Sequence, residues 1–361
     1  MWKWIANKAS RQRVQIVLTG LSILLLLTAC GSGSETNANA DGEQSGQNKG
    51  DITLVIGAYS VVKDAFGDLL PKFQAHWQEK TGQKIVFQES YEASGTQARS
   101  IVGGFDADVA VLAMATDIEK IQKAGLINEN WADNPYKGMI TDSVVVLGTR
   151  DGNPLDIKGW DDLANKGVKV LYPNPKTSGG AQWDINAIYG AGLKKAERET
   201  GAKDAEFAKQ YLKSIHYNVE SLDKSGRASM AAFEYGVGDV IVTYENELRA
   251  RIRQGVPYTI VIPEDTILIE NPAAVVHKNA KKHGVEEAAQ AFVDYLVSEE
   301  AQEIFAEFGF RPVNEKAAAK VKDQFEQPAG LFDIEYLGGW NEVRDTLYSK
   351  KGIWYQVLAG I

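Results

Sequence analysis

The residues best suited to chemistry in this chain lie in three turns, each of which follows a predicted strand and precedes a predicted helix: Ser94-Gly95, Ser178-Gly179-Gly180 and Ser225-Gly226. The first N–H groups of a helix have no partner within the helix and carry partial positive charge. Glycine lets a ligand come close to that backbone. One such turn alone favours an ordinary helix cap, whereas three turns at the carboxyl ends of strands favour an anion-binding site.

Sequence patterns typical of enzymes are less specific in this chain than the three Ser-Gly turns. The four histidines have no metal-ligand spacing, so we expect surface or structural roles for His76, His216, His277 and His283. The chain has one cysteine, which excludes a disulfide within the chain and a cysteine metal site. We therefore predict no catalytic residue, no cofactor and no metal.

Three short motifs resemble those of serine β-lactamases and penicillin-binding proteins. They are Ser60-Val61-Val62-Lys63, Lys80-Thr81-Gly82 and Tyr244-Glu245-Asn246. The Lys-Thr-Gly motif precedes the tyrosine motif, which is the wrong order for those enzymes. A penicillin-binding-type serine hydrolase is retained as the alternative from a different class of protein.

The N-terminus has the features of a secretory signal. Four basic residues among the first thirteen precede an apolar run at residues 16–27, which is too short to span a membrane. Leu27-Thr28-Ala29-Cys30 then resembles a bacterial lipobox. The resemblance implies removal of residues 1–29 and a lipid on Cys30, which would anchor the protein to the cell membrane on its extracytoplasmic face.

The net charge and the composition limit the kinds of partner that this protein can bind. The net charge is −9, and removal of the four basic residues with the signal lowers it to −13. This balance argues against nucleic acid as a partner but leaves a small anion open, because a buried site responds to local donors. Residues 31–50 are mostly polar or glycine and predict a flexible linker.

The predicted elements alternate between strand and helix, which indicates an α/β fold with a parallel sheet and helices on both faces. We expect Pro71 to interrupt the first helix, and Asn271-Pro272 to break an apolar run at residues 266–277. The helical, aromatic tail beyond Arg311 is expected to pack against the first α/β block. The chain is expected to pass between the two α/β blocks twice, near residues 142–149 and near residues 263–272. The first block has predicted strands at 52–58, 84–88 and 107–113, and the second at 142–149, 168–172, 217–222, 239–245 and 258–262.

From Ile52 to about Trp340, the chain resembles the sulfate/thiosulfate-binding proteins of bacterial ABC importers. The resemblance is carried by residues 93–98 (ASGTQA), 172–181 (YPNPKTSGGA), 238–247 (GDVIVTYENE), 310–312 (FRP) and 338–340 (GGW). It implies a two-lobed periplasmic-binding-protein clamshell of type II, each lobe a mixed, mainly parallel sheet flanked by helices. The implied organisation is signal peptide 1–29, lipidated Cys30 with linker 30–50, lobe I 51–143, lobe II 144–265, and lobe I again with the C-terminal helices 266–361.

The same resemblance implies how the anion is held between the lobes. Ser94 and the turn at Gly226 would each offer a backbone N–H. Ser178 would offer its hydroxyl, and Gly179 and Gly180 would offer their N–H groups. The phenol of Tyr244 stands where the relatives have a tryptophan that donates to the anion.

Three further residues are expected to support the site without contacting the anion, namely Ser60, Gln182 and Arg227. Ser60 and Gln182 stand where the relatives have an aspartate and an arginine. The implied partners are sulfate or thiosulfate and the permease subunits of an ABC importer, with the protein itself a monomer.

Proton content decides which oxyanion such a site prefers. At neutral pH, sulfate can accept hydrogen bonds but cannot donate them. Phosphate still carries a proton at this pH and needs an acceptor for it. We therefore expect that no carboxylate reaches the anion, with Glu92 and Glu245 the nearest candidates to contradict this. Molybdate and phosphate are retained as alternative ligands.

Overall fold

The computed structural model describes residues 50–361. The predicted signal peptide and Cys30 lie outside the described residues. Within the described part, strands and helices alternate as the sequence predicts. The strands are β1 (Ile52–Tyr59), β2 (Ile85–Glu92), β3 (Val109–Val111), β4 (Met139–Thr149), β5 (Val170–Pro173), β6 (Val219–Asp223), β7 (Val240–Tyr244), β8 (Thr259–Val261) and β9 (Leu268–Val275).

The helices lie between and after these strands. They are α1 (Lys63–Thr81), α2 (Ser94–Val102), α3 (Ala115–Lys123), α4 (Gly179–Thr200), α5 (Ala205–His216), α6 (Gly226–Glu234), α7 (Glu245–Arg253), α8 (His277–His283), α9 (Glu286–Leu296), α10 (Glu299–Glu307), α11 (Glu315–Val321), α12 (Gly339–Val343) and α13 (Ile353–Leu358). Short 3-10 helices include Ser60–Val62 and Trp160–Ala164, and a π-helical turn covers Arg344–Tyr348.

Two groups of strands are joined through β4 and β9. The strand order is β2-β1-β3-β9-β4-β7-β5-β6, with β8 paired to β4. In lobe I, β1 pairs in parallel with β2 and β3; in lobe II, β5 pairs in parallel with β6 and β7. The pairs made by β4 and β9 are antiparallel. The predicted mixed α/β fold with two lobes is confirmed.

The strands β4 and β9 run from one lobe into the other. The first half of β4 pairs with β9, and its second half pairs with β7 and β8. Likewise, β9 pairs with β4 over its first half and with β3 over its second. Both strands fall in the regions predicted as crossings, and the numerical lobe boundaries given above stay a prediction.

Helices cover both faces of the lobe I sheet because successive residues of a strand point to opposite faces. Val109 and Val111 face a core that includes Phe66 and Phe292 of α1 and α9. Ala110 faces the other core, with residues of α2 and α3. All five of these side chains are buried.

Two expected breaks do not occur. Helix α1 continues through Pro71, which is exposed, as is Gly67 one turn before it. Pro71 has no N–H to donate to the Gly67 carbonyl, so water can donate a hydrogen bond to that carbonyl instead. Strand β9 likewise continues through Asn271 and Pro272, because Asn271 fits the ladder opposite Thr141 and Pro272 stands opposite Met139 at an irregularity in the register.

The C-terminal tail divides between the lobes. Helix α11 packs on α10 of lobe I as expected, with Lys320 paired to Glu299 at 2.6 Å, whereas the aromatic residues that follow it find their partners on α4, α5 and β5. Trp354 packs against Tyr172 of β5 and His216 of α5. The Tyr348 hydroxyl donates to the Gln182 carbonyl at 3.0 Å. The part of the tail after α11 therefore covers the helical layer of lobe II.

Candidate anion-binding site

A small cavity lies where the N-termini of several helices meet at the ends of strands. Its wall includes residues from the starts of α2, α4, α6 and α7 and from the 3-10 helix that follows β1. The volume of this cavity is about 20 Å³. Since helix N-termini carry partial positive charge, their convergence gives the cavity a field that favours an anion.

The turn before α4 is shaped by Asn174, the residue after β5. Its carbonyl accepts from the N–H groups of Thr177 and Ser178 at 3.1 and 2.9 Å. The Thr177 hydroxyl donates to the Lys224 carbonyl at 2.8 Å, which ties this turn to the one before α6. The two Ser-Gly turns of lobe II are therefore held next to each other.

The serines of these two turns cap their helices. Ser178 Oγ accepts from the Ala181 N–H at 3.2 Å, and Ser225 Oγ accepts from the Ala228 N–H at 3.1 Å. A hydroxyl that accepts such a bond still has its own proton to donate. Capping and anion binding are therefore compatible at both serines, and both line the cavity.

Ser94 is placed differently from the other two serines. It is the first residue of α2 rather than its cap, which is Ala93. Its Oγ donates to Asp117 Oδ2 at 2.6 Å and accepts from the Ala113 N–H at 3.0 Å. Its backbone N–H, at the helix start, is the group that fits the predicted role.

The glycines permit close approach of backbone and side chains around the cavity. A Cβ on Gly179 would lie 2.9 Å from Ala113 Cβ and 3.3 Å from Ser94 Cβ, so α4 touches lobe I at this point. A Cβ on Gly180 would lie 3.5 Å from the Tyr244 ring, and one on Gly226 3.5 Å from a Glu247 oxygen. Gly180 and Gly226 line the cavity, whereas Gly179 is not among its lining residues.

Tyr244 is the residue before α7 and is 2% exposed. Its hydroxyl makes no hydrogen bond of good geometry within residues 50–361, and the nearby Asn271 side chain acts on the phenol only by opposing the rise of its pKa. Burial raises the pKa of this phenol well above its ordinary value, so it is a donor at neutral pH. An unpaired buried hydroxyl in a cavity wall is the expected state of a group that binds a ligand.

The supporting residues occupy three different positions. Ser60 lines the cavity. Gln182 Nε2 donates to the Pro175 carbonyl at 3.1 Å and so braces the turn before α4. Arg227 donates to Asp64 Oδ2 at 3.0 Å and to the Ser60 carbonyl at 3.4 Å, which joins α6 of lobe II to lobe I.

The cavity wall contains two carboxyl groups, Asp184 and Glu247, which sequence reasoning missed. Carboxyl groups therefore border the cavity, although neither suspected residue is one of them, and the expectation that no carboxylate reaches the anion stays a prediction. Glu245 pairs with Arg311 at 2.8 Å and with Arg249 on the same helix, while Glu92 is exposed at the end of β2.

The missed residues follow helical spacing from residues that were identified. Asp184 comes four positions after Gly180, and Glu247 comes three positions after Tyr244, so each shares a face with that residue. Burial raises the pKa of both carboxyl groups. For Glu247, nearby Arg227 and Arg251 oppose the shift.

Other residues considered for enzyme chemistry lie elsewhere in the described part of the chain. Lys63 Nζ sits over the ring of Tyr91, 5.6 Å from its centroid, and is exposed. Gly82 ends α1 in the left-handed conformation. His216 Nδ1 is 2.5 Å from the Tyr172 hydroxyl, within the packing of the C-terminal tail.

The sequence was compared with family models and with known proteins. Residues 54–311 match the model of a family described as bacterial extracellular solute-binding protein. The chain belongs to this family.

Relatives of this solute-binding protein include two named for sulfate or thiosulfate. A sulfate-binding protein of Synechocystis is 39% identical over 350 residues, which cover 95% of this chain and 97% of the relative. A thiosulfate-binding protein of Escherichia coli is 35% identical over 313 residues, covering 85% and 91%.

Solved structures agree with the fold. The sulfate-binding protein of Mycobacterium tuberculosis has a TM-score of 0.75 and is 34% identical, covering 82% of this chain and 100% of that one. A periplasmic thiamin-binding protein has a TM-score of 0.62 at 16% identity, covering 85% and 96%, and shows the fold alone.

Two features are absent from the described part of the solute-binding protein. Within residues 50–361, no helix is long and apolar enough to span a membrane. In the same residues, no group of three or more histidine, cysteine, aspartate or glutamate side chains could hold a metal ion. The extracellular family description places the protein outside the cytoplasm.

Proposed function

We propose that this protein captures sulfate or thiosulfate in the cavity between its lobes and delivers it to an ABC importer. The observation that carries the proposal is the convergence of helix N-termini with the free hydroxyl of Tyr244 on one cavity. The names of the relatives in Synechocystis and Escherichia coli support the choice of anion.

The proposed donors are those that the sequence predicts, namely the N–H groups of Ser94, Gly179, Gly180 and Gly226, with the hydroxyls of Ser178 and Tyr244. Hydrogen bonds to a charged group contribute about 1.5–3 kcal/mol each. Several such bonds reach the roughly −8 kcal/mol of a micromolar complex after ordering costs. A cationic side chain in contact with the anion is not needed.

Capture requires that the two lobes move together around the anion. Donors on Ser94 belong to lobe I and those on the turns before α4 and α6 to lobe II. An anion held by both lobes stabilises the closed form relative to the open one. The strands β4 and β9, which join the lobes, are the natural hinge.

Two alternatives remain for the chemistry. Within the family, another tetrahedral oxyanion such as molybdate or phosphate is the competitor, and the carboxyl groups of Asp184 and Glu247 give phosphate a specific argument. A serine hydrolase has no supporting observation, since Lys63 and Lys80 are not part of the cavity wall that contains Ser60. We propose binding without catalysis.

The cellular setting is part of the proposal. A lipid on Cys30 would hold the protein at the outer face of the cell membrane, close to the importer's permease subunits, with residues 31–50 as the linker. The protein would act as a monomer, because one chain contains donors from both lobes. Loss of membrane association in Cys30→Ser is the expected result of a fractionation experiment.

Isothermal titration calorimetry with sulfate, thiosulfate, phosphate and molybdate tests the binding function. We expect sulfate or thiosulfate to bind most tightly. Replacement of Gly179 by valine should reduce the sulfate affinity at least about 100-fold. Several hydrogen bonds to the anion form only when the two lobes close, and they close at this point. The reason is that a side chain there would collide with Ala113 and Ser94 of lobe I.

A matched control is Gly192→Ala, on the same helix. Its Cβ would lie 2.9 Å from Ala208 of α5, so it perturbs packing within lobe II without touching the cavity. We expect lower thermal stability and retained affinity. Unchanged sulfate affinity in Gly179→Val, with the fold intact by circular dichroism, would refute the site.

A further inference from the structure

Asp184 is a buried carboxyl group in the cavity wall that the proposed set of donors does not use. It is 1% exposed, and its Oδ1 has no hydrogen-bond partner within residues 50–361. It lies one turn after Gly180 on α4. A buried polar atom without a partner costs free energy in the empty protein, which indicates that a ligand supplies the partner.

A second carboxyl group, Glu247, faces the same cavity from α7, and its Oε2 is also without a partner in the described residues. Arg227 Nε lies 3.9 Å from Glu247 Oε1, and the charge of Arg251 also acts on this carboxyl group. Cations therefore stand beside Glu247 and favour its ionised form. Two carboxylates on one small cavity repel each other, so the proton belongs on the one without a cation.

The other titratable groups that interact with Asp184 are phenols on three elements: Tyr172 of β5, Tyr244 before α7 and Tyr348 of the tail. Burial raises the pKa of each, so all three are neutral at physiological pH. Within the described part of the chain, the charge found to act on Asp184 is that of Glu247. Burial, and then this charge, raise the pKa of Asp184 well above the usual range of an aspartate.

We propose that Asp184 enters the complex as a neutral carboxylic acid and donates its O–H to the bound oxyanion. Capture of the anion is thereby coupled to retention or uptake of one proton. This inference rests on the proposed binding function and adds to it the residue that sets pH dependence and anion preference.

The protonation state of Asp184 decides what kind of oxyanion the site prefers. A neutral acid adds one donor, which suits sulfate because sulfate has only acceptors at neutral pH. An ionised Asp184 would repel sulfate and would instead accept a hydrogen bond from a protonated anion such as hydrogen phosphate. A bound dianion is a second negative neighbour, so it raises the pKa of Asp184 further and keeps the proton in place.

Titrations with inorganic sulfate from about pH 5 to about pH 9 test this, with the full chain and its Asp184→Asn variant. For the unchanged chain, affinity should be constant below the pKa of Asp184 in the free protein. It should fall as pH rises through that pKa, approaching about tenfold per pH unit, because binding then requires proton uptake. The variant keeps an N–H donor but has no proton to lose, so its affinity should change much less with pH.

Two further measurements do not depend on that variant. In the pH range where affinity falls, calorimetry in two buffers of different ionisation enthalpy should show proton uptake by the unchanged chain. Replacement of Glu247 by glutamine removes the charge that raises the pKa of Asp184. The fall in affinity should then begin at a lower pH.

The outcomes separate this inference from the binding function. Sulfate affinity that is independent of pH in the unchanged chain, or an equal slope in Asp184→Asn, overturns the inference and leaves sulfate binding intact. Tighter binding of phosphate than of sulfate, reversed in Asp184→Asn, shows an ionised acceptor and also overturns it. Failure of the unchanged chain to bind sulfate at any of these pH values refutes the binding function itself.

Discussion

Ser178 and Ser225 each accept a hydrogen bond from their own helix and keep one proton to donate. Ser94 differs because both its hydroxyl proton and its oxygen are already engaged, with Asp117 and the Ala113 N–H. Its contribution to an anion is therefore limited to the backbone. Replacing Ser94 would act through the position of α2, whereas replacing Ser178 would remove a donor directly.

The hydroxyl of Tyr244 gives a clear prediction, because it makes no hydrogen bond of good geometry within the described residues. Tyr244→Phe removes a donor to the anion, and within the protein it removes only the weak contact between the phenol and Asn271. We expect sulfate affinity to fall by about 10- to 100-fold, the range for one hydrogen bond to a charged group. The melting temperature of the ligand-free protein should stay the same or rise. Calorimetry and thermal unfolding measure the two quantities.

Tyr172→Phe is the matched control for this prediction. The Tyr172 hydroxyl is also buried, but it lies 2.5 Å from His216 Nδ1 and is not part of the cavity wall. This variant should lose stability by about 1 kcal/mol, as for one buried hydrogen bond, and keep its affinity. The opposite pattern, with affinity lost only in Tyr172→Phe, would contradict the assignment of Tyr244 to the site.

The sequence predicts the backbone donors of the site but not its carboxyl groups. Serine and glycine at a strand–helix turn have a direct physical reason, since they determine the cap and the close approach of a ligand. Asp184 and Glu247 lie inside helices, where either could equally face solvent. Which face is buried depends on packing between α4, α7 and the rest of lobe II, and that information is not local.

At the scale of elements, the strands and helices follow the sequence closely where one pattern dominates. Deviations occur where tertiary contacts outweigh a local preference. Helix α1 continues through Pro71 because its apolar face, with Phe66 and Phe73, is buried on both sides of the proline. The part of the tail after α11 packs on lobe II because the partners of Trp354 lie there, and local sequence pattern does not specify them.

Contacts between α1 of lobe I and helices of lobe II provide an element-scale prediction. Asp64 Oδ2 accepts from Arg227 of α6 at 3.0 Å and from Arg251 of α7 at 3.2 Å. These contacts join the lobes beside the cavity, so they exist only when the lobes are together. Asp64→Asn should weaken sulfate binding by about tenfold, the order for a partly buried charge-assisted contact. Because the open form lacks the contact, the melting temperature without sulfate should change little.

Asp68→Asn, on the same helix and exposed, is the control for this change. It removes the same charge from the protein without removing a contact between lobes. If both variants bind sulfate equally well, the contacts of Asp64 do not hold the lobes together. Any effect on affinity would then come from the lost charge on α1 and not from a lost contact. Dissociation rates from stopped-flow measurements would sharpen the comparison, since a lost closing contact increases the rate of release.

At the scale of the whole molecule, the residues of the proposed site are divided between two lobes that β4 and β9 connect. The Trp183 indole of lobe II donates to the Ala113 carbonyl of lobe I at 2.8 Å, and α4 touches Ser94 at Gly179. Ser94 and Ala113 both line the cavity. The described arrangement is therefore the closed one, with the donors of both lobes directed at the same small space.

This closed arrangement screens the proposed donors from solvent, which gives the last prediction. The three serines of the cavity turns are at most 7% exposed, and the cavity itself is small. We expect sulfate to enter when the lobes separate, so the ligand-free protein should populate an open form. Small-angle X-ray scattering should show a radius of gyration of about 20 Å for a compact chain of this length, decreasing when sulfate is added. Gly179→Val should show no decrease, since its side chain prevents contact between α4 and lobe I. A radius that is the same with and without sulfate in the unchanged chain would exclude lobe closure as the mechanism of capture.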